Sequence, residues 1–321
     1  MNILITSAGR RVSLVRIFQK ELNHLFPGAK VFAADNKPAY SSACQVADGA
    51  FKVSRVTTPE YIDELISICH ENSIRLIIPT IDTELLSLAS AYERFKTNGI
   101  ECLVSDEELV KMCRDKRKTH DFFKSHGTNH ARENKSDDIR FPCFVKPADG
   151  SSSVNISILH SAEDLTESMR LNPKLMFLEY LDLKAHTEFT LDLYYDRNSV
   201  LRCAVPRERI ETRAGEVSKG ITRKNELVDH VFNHYGVLEG FRGCITMQLF
   251  LNNQTKEITG IEINPRFGGG YPLSYAAGAN YPKWIIEEYL LNKPVETYID
   301  WEENLLMLRY DDEILIHGFK D

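Results

Sequence analysis

Ile261-Glu262-Ile263-Asn264-Pro265-Arg266 is the stretch on which the reading of this chain turns. Two side chains with metal-ligating oxygens and an arginine stand at alternate positions. The apolar segment before it, Ile245-Thr246-Met247-Gln248-Leu249-Phe250, puts a second amide, Gln248, on a neighbouring strand. Alternate side chains of a strand share a face. Glu262, Asn264 and Arg266 are therefore expected on one side, with Ile261 and Ile263 in the core. One carboxylate, two amides and a guanidinium on a single sheet face suit a hard cation and a phosphate. Mg²⁺ takes oxygen ligands and shares them with substrate phosphates, and arginine takes planar oxyanions.

The 321 residues carry a formal net charge of -7, and 43% of them are hydrophobic. That length suits two or three subdomains around a substantial core. The acidic balance argues against a nucleic-acid partner, which needs a positive face. No apolar run approaches the ~20 residues of a membrane span. Met1-Asn2-Ile3-Leu4-Ile5-Thr6 reads as a first β-strand and not as a signal peptide. Seven cysteines are scattered without a C-x-x-C pair, which points away from structural zinc and toward reduced thiols in the cytoplasm.

The first hundred residues alternate strand and helix. Val12, Val15, Phe18, Leu22 and Leu25 recur at helical spacing after the first strand,. Apolar strands follow near Lys30 to Asp35, Gly49 to Ser54, Leu76 to Thr80 and Glu101 to Val104. Such alternation predicts an α/β fold with a doubly wound parallel sheet. Ser105-Asp106-Glu107-Glu108 reads as a capping box, and a basic helix is expected near Asp115 to His126. Thr128 to Arg140 looks like a polar connector. Beyond Glu188 the chain reads as long β segments with few helices, until Ser274 to Asn292 returns to helix.

Other segments carry weaker signals. Phe144-Val145-Lys146-Pro147-Ala148-Asp149-Gly150-Ser151-Ser152-Ser153 puts a lysine at a strand end before a Gly/Ser loop. Such a lysine can reach phosphate oxygens while small residues let backbone N–H groups approach. A surface turn reads equally well, and the P-loop pattern is absent. The apolar strand end Phe177-Leu178-Glu179-Tyr180-Leu181 and the carboxylate of Glu188 suit a purine and a ribose, or are simply exposed acids beside a turn. Lys116 lies in a charged run of the kind that usually forms a solvated helix face. Arg207, Arg209 and the loop to Lys219 suit an anionic ligand, or a mobile hairpin. Thr6 to Arg11 lacks G-x-G-x-x-G, so a dinucleotide site is weakly supported. The histidines form no metal or catalytic pattern, and no G-x-S-x-G elbow occurs.

Taken in order, these segments resemble the ATP-grasp superfamily, and most closely one synthetase unit of the carbamoyl phosphate synthase large subunit. Gln248 with Glu262-x-Asn264-x-Arg266, and Phe144-Val145-Lys146-Pro147, carry most of the resemblance. Thr80-Ile81-Asp82-Thr83-Glu84 and Phe267-Gly268-Gly269-Gly270-Tyr271-Pro272 add to it. The resemblance implies a pre-ATP-grasp domain over residues 1–112. A small ATP-grasp lobe would span 113–187, and a C-terminal lobe with the metal site 188–321. It implies ATP and two Mg²⁺ (or Mn²⁺) ions as cofactors. Lys116 and Lys146 would contact the phosphates, with Gly150 to Ser153 as a flap whose Ser152 and Ser153 touch the nucleotide. Glu179, Tyr180 and Leu181 would hold adenine, and Glu188 the ribose. Gln248, Glu262 and Asn264 would hold the metal, while Arg266, Lys146 and Arg207 would be catalytic. A carboxylate and an amine would be joined through an acyl phosphate, their recognition lying in Ser7 to Arg11, Thr80 to Glu84 and the loop from Arg207 to Lys219. The resemblance also allows a homodimer. One unit alone cannot carry out both phosphorylations of carbamoyl phosphate synthesis. A stand-alone ligase is the better inference, with an ATP-sensing module or part of a split synthase as the alternative.

Overall fold

The computed structural model describes residues 1–135, 137–149, 156–213 and 215–319. The N-terminal part runs β1 (Asn2–Thr6), α1 (Val12–Leu25), β2 (Val31–Asp35), α2 (Ser42–Val46) and β3 (Ala50–Lys52). It continues through α3 (Tyr61–Glu71), β4 (Ile74–Pro79), α4 (Asp82–Ser90), α5 (Tyr92–Thr97) and β5 (Glu101–Cys102). Its five strands form a parallel sheet of order β3-β2-β1-β4-β5. The order reverses beside β1, and the loops after β1 and β4 meet there, as open α/β sheets place their ligand crevices.

Next come α6 (Glu107–Arg114), α7 (Lys116–Ser125), β6 (Asn129–His130), β7 (Glu133–Asn134), β8 (Cys143–Pro147), β9 (Ser157–Leu159), α8 (Glu167–Arg170) and β10 (Leu175–Glu179). A small sheet of order β7-β10-β8-β9 carries Lys146 and Glu179. The remainder holds β11 (His186–Tyr195), β12 (Leu201–Arg213), β13 (Glu216–Thr222), α9 (Glu226–Tyr235), β14 (Gly243–Asn252), β15 (Ile258–Asn264), α10 (Tyr271–Ala276), α11 (Tyr281–Leu291) and β16 (Leu306–Leu308). Its sheet has seven strands, β16-β13-β12-β11-β14-β15-β6. The N-terminal sheet and this one share a core: Phe18 of α1 meets Phe267 edge-on at 5.9 Å, and Ile3, Ile5, Tyr194, Tyr271 and Ile285 are buried in the same cluster. No helix among the described residues is long and apolar enough to cross a membrane, and all seven cysteines are free.

Several local expectations give way to tertiary contacts. The residues taken for a polar connector contain β6 and β7, which join two different sheets. The β-rich C-terminal half also contains α9, whose Leu227, Val231 and Tyr235 pack on the large sheet. Ser105 caps nothing; α6 starts after Asp106 with no side-chain cap, and Ser105 Oγ instead accepts the Arg242 N–H at 3.3 Å.

Ile261 is the most consequential difference. Gln248 pairs with Glu262 but Leu249 pairs with Gly260, so Ile261 is the extra residue of a β-bulge,. The bulge breaks strict alternation. Ile263 is buried, while Ile261 lines a large cavity. Gly260, beside the bulge, lets Phe123 of α7 lie against the strand: a Cβ there would fall 2.4 Å from the ring. Gly260→Ala is expected to cost about 1–3 kcal/mol through overpacking, read as a lower urea midpoint with an unchanged slope.

Candidate active site

The antiparallel pair β14–β15 sets Gln248 opposite Glu262 and Thr246 opposite Asn264. Gln248 Nε2 donates to Glu262 Oε1 at 3.0 Å, and Asn264 Nδ2 donates to the same oxygen at 2.9 Å. The three side chains thus converge on one point. Turning either amide about its terminal bond presents its carbonyl oxygen there in place of its NH₂. One carboxylate with two amides is an oxygen-only donor set, which fits Mg²⁺ and not a thiolate- or imidazole-seeking metal.

Arg266 leaves this strand and reaches into the N-terminal part of the chain. Its Nη2 lies 2.7 Å from Asp82 Oδ2, and its Nε donates to the same oxygen at 3.2 Å. Asp82 opens α4, and its other oxygen, Oδ1, is buried with no partner among the described residues. The Thr80-to-Glu84 stretch is thereby tied to the strand carrying Glu262.

Lys146 comes in from β8 and is 7% exposed. Burial lowers its ammonium to about 8, although Glu262 nearby opposes the shift. A desolvated ammonium facing a cavity is stabilised by an anion. Lys116 opens α7, its backbone N–H donating to the Ala148 carbonyl at 3.0 Å. Burial lowers its ammonium too, again against Glu262. One turn along α7, His120 lines the cavity, stacks on His130 at 4.9 Å and has a buried Nε2 without a partner among the described residues. Burial, with the charges of Lys146, His130, Lys116 and Arg117, brings it down to about 3, so the ring is neutral at pH 7. His120 carries no signal in the sequence, because only the fold sets it beside the two lysines.

Glu179 at the end of β10 accepts the Arg132 N–H at 2.9 Å through Oε1, and Tyr180 and Leu181 follow it along the cavity wall. Ala131, Phe144, Leu178 and Phe250 supply apolar surface. Glu188 lies 2.9 Å from Arg209 Nε; burial raises its carboxyl, and Arg209 opposes the rise. Arg207 is almost wholly buried, and its guanidinium pairs bidentately with Asp192 at 2.7 and 3.0 Å. Every described candidate, from Lys116 to Arg266, lines one cavity of about 1200 Å³. Ser152, Ser153 and the flap from Gly150 to Ser153 lie outside the described residues.

The loops after β1 and β4 close the other end. Ser7 takes a left-handed backbone at φ 50° and donates through Oγ to Glu84 Oε2 at 3.0 Å. A non-glycine residue held there is strained, and the surroundings hold it. Glu84, fully buried, also accepts from the N–H groups of Thr80 and Ile81 and from Tyr61 Oη at 2.8 Å. Burial raises Glu84 while these donors oppose it. Asp35, at the end of β2, accepts the Gly9 and Lys37 N–H groups at 3.1 and 2.9 Å and shapes the same loop.

Comparison with known proteins finds matches to both the N-terminal and the C-terminal parts of the chain. A family model described as "PylC-like, N-terminal domain" matches residues 3–103, and one described as "ATP-grasp in the biosynthetic pathway with Ter operon" matches residues 171–311. Over 77 residues the chain is 38% identical to 3-methyl-D-ornithine–L-lysine ligase of Methanosarcina mazei; these residues are 24% of this chain and 19% of the relative. The match thus spans about a fifth of that relative's length. Among solved structures, the biotin carboxylase domain of Hydrogenobacter thermophilus 2-oxoglutarate carboxylase, seen as a dimer with MgADP, ADP and bicarbonate, superposes with a TM-score of 0.72 at 14% identity. The alignment covers 95% of this chain and 73% of that one. L-amino acid ligase from Bacillus licheniformis gives 0.67 at 18% identity, covering 92% and 75%.

Proposed function

We propose that this chain, which matches a PylC-like N-terminal model and an ATP-grasp model, is an ATP- and Mg²⁺-dependent carboxylate–amine ligase that works through an acyl phosphate. The observation that carries this reading is the convergence of Gln248 and Asn264 on Glu262, in one cavity with two partly desolvated lysines. A site for a neutral ligand has no use for that combination. In this reading residues 1–112, 113–187 and 188–321 are the three functional parts, and the unit resembles a single half of a carbamoyl phosphate synthase large subunit.

The roles follow from the chemistry of each group. Glu262, Gln248 and Asn264 hold Mg²⁺, which when bound supplies charge neutralisation at the phosphate oxygens. Lys146 and Lys116 bind the phosphates, and neutral His120 offers a further hydrogen bond on the same side. The segment Glu179 to Leu181 with its apolar neighbours holds the base, and Glu188 takes the ribose hydroxyls. The substrate carboxylate attacks the γ-phosphorus of ATP, the bond to the β,γ-bridging oxygen breaks, and ADP leaves. Arg266, fixed by Asp82, faces the charge that builds on the transferred group. An amine then attacks the acyl carbon, forms the amide, loses a proton and expels phosphate. Phosphoryl transfer needs positioning and electrostatics more than a protein nucleophile. Arg207, held by Asp192, lies against the turn at Gly268 to Gly270 and faces the substrate from the cavity wall.

Release of ADP from ATP tests the reading. It should require a carboxylate, be abolished by EDTA and return with Mg²⁺. Hydroxylamine, as a general amine, should trap the acyl phosphate as a hydroxamate. ATP hydrolysis indifferent to every carboxylate, or no MgATP binding by calorimetry, would defeat it.

A further inference from the structure

Resting on that ligase reading, we propose that the cavity end built by the loop after β1 binds a second anionic group, on the part of the acyl substrate that does not react, with Arg10 and Arg11 as its ligands. The substrate is then a compact molecule carrying two acidic groups, a dicarboxylate or a carboxylate with a phosphate monoester.

The argument begins with charge pairing. Around the cavity the arginines of the C-terminal part and their acids are matched. Arg207 pairs with Asp192 at 2.7 Å, Arg209 with Glu188 at 2.9 Å, Arg266 with Asp82 at 2.7 Å and Arg309 with Glu216 at 3.0 Å. Arg10 and Arg11 line the same cavity and make no salt bridge among the described residues. Among the described residues the Arg11 guanidinium makes one hydrogen bond, a long one of 3.4 Å to the Thr80 carbonyl.

Both unmatched arginines direct their charge at Glu216. Burial pushes that carboxyl up, but the Arg309 hydrogen bond and the charges of Arg11, Arg309 and Arg10 win and hold it below its usual range. Three guanidinium groups therefore act on one carboxylate, with Arg309 in direct contact at 3.0 Å. Burial, and then Arg266, lowers Arg11 to about 10, against the pull of Glu216 and Asp82. A partly desolvated guanidinium that makes no salt bridge among the described residues is completed by an incoming anion. The 14-residue helix α1 starts immediately after Arg11 with no acidic residue in its first turn, so its dipole favours the same charge,. An ammonium group placed here would face three guanidinium groups against one carboxylate.

Compactness follows from Gly269. A Cβ on it would fall 3.1 Å from Glu216 and 3.2 Å from Arg11. The glycine turn that continues from Arg266 therefore packs directly onto this cluster. The second anion and the reacting carboxylate lie at neighbouring positions, not at opposite ends of a long molecule.

Four amino acids with a common head test this: L-glutamate, O-phospho-L-serine, L-alanine and L-ornithine. Each is assayed for MgATP-dependent hydroxamate formation and, separately, for calorimetric binding in the presence of MgADP. Glutamate or phosphoserine, whichever anion the site takes, is expected to have a KM at least about tenfold below that of alanine, with ornithine weakest. Arg11→Ala should erase that preference and raise the KM of the acidic compound about tenfold or more, with the KM for ATP retained; Arg10→Ala provides the same reading at an exposed position. Turnover or binding of ornithine or alanine as good as that of the acidic pair would overturn the inference and leave the ligase reading standing. Acidic compounds that bind through Arg11 without any hydroxamate would uphold the inference and defeat the ligase reading. Absence of both binding and reaction with the acidic pair overturns it.

Discussion

Replacing Glu262 by alanine is expected to lower turnover by at least about two orders of magnitude while the protein still folds. The two amides that meet at this carboxylate lose their common partner, and the cavity loses the only full negative charge among the three proposed metal ligands. A contact made to charge developing in the transition state is typically worth about 3–4 kcal/mol. The fold should survive because Glu262 faces the cavity, whereas its neighbour Ile263 is fully buried and holds the strand. ADP release at saturating substrate and MgATP is the measurement, with thermal unfolding as the control. Glu262→Gln, which keeps size and an acceptor oxygen but no charge, should recover little. Turnover within a few fold of wild type in Glu262→Ala would remove the metal assignment and most of the proposed chemistry with it.

How much of this site could be read from the chain depends on how local each signal is. Alternation along β15 puts Glu262 and Asn264 on one face, because a strand's geometry is set by its own backbone. Lys146 was readable for the same reason, as a polar residue ending an apolar strand. Ile261 was misread because a bulge depends on the partner strand: the register of β14 decides it, and nothing in Gly260-Ile261-Glu262 alone announces it. His120 was opaque for a stronger reason. One helical turn separates His120 from Lys116, but its closeness to Lys146 and His130 exists only once α7 is packed. The Arg207–Asp192 pair was equally hidden, since the two residues lie fifteen positions apart on opposed strands β11 and β12. The parallel N-terminal sheet, by contrast, follows almost entirely from the spacing of apolar runs.

That hidden pair yields the second large effect. Asp192→Ala is expected to destabilise the protein by about 3–5 kcal/mol. Asp192 is fully buried in β11, and both of its oxygens accept from Arg207, which is itself 1% exposed. Ser274 Oγ donates to the same carboxylate at 2.6 Å, so α10 is anchored there too. Gly270 leaves room for the guanidinium: a Cβ would fall 2.1 Å from Arg207 Nη1. Removing the acid leaves a buried cation in that slot without its counter-charge. The energy lost is largely the burden of the stranded arginine, which makes the claim separable from simple loss of packing. Asp192→Ala combined with Arg207→Met should recover much of the stability, because an apolar side chain tolerates the slot that an unpaired guanidinium does not. Urea denaturation of wild type, the two single variants and the double variant supplies the coupling energy. Additive losses would mean that the pair contributes no specific interaction and that the turn at Gly268 to Gly270 is held by other contacts.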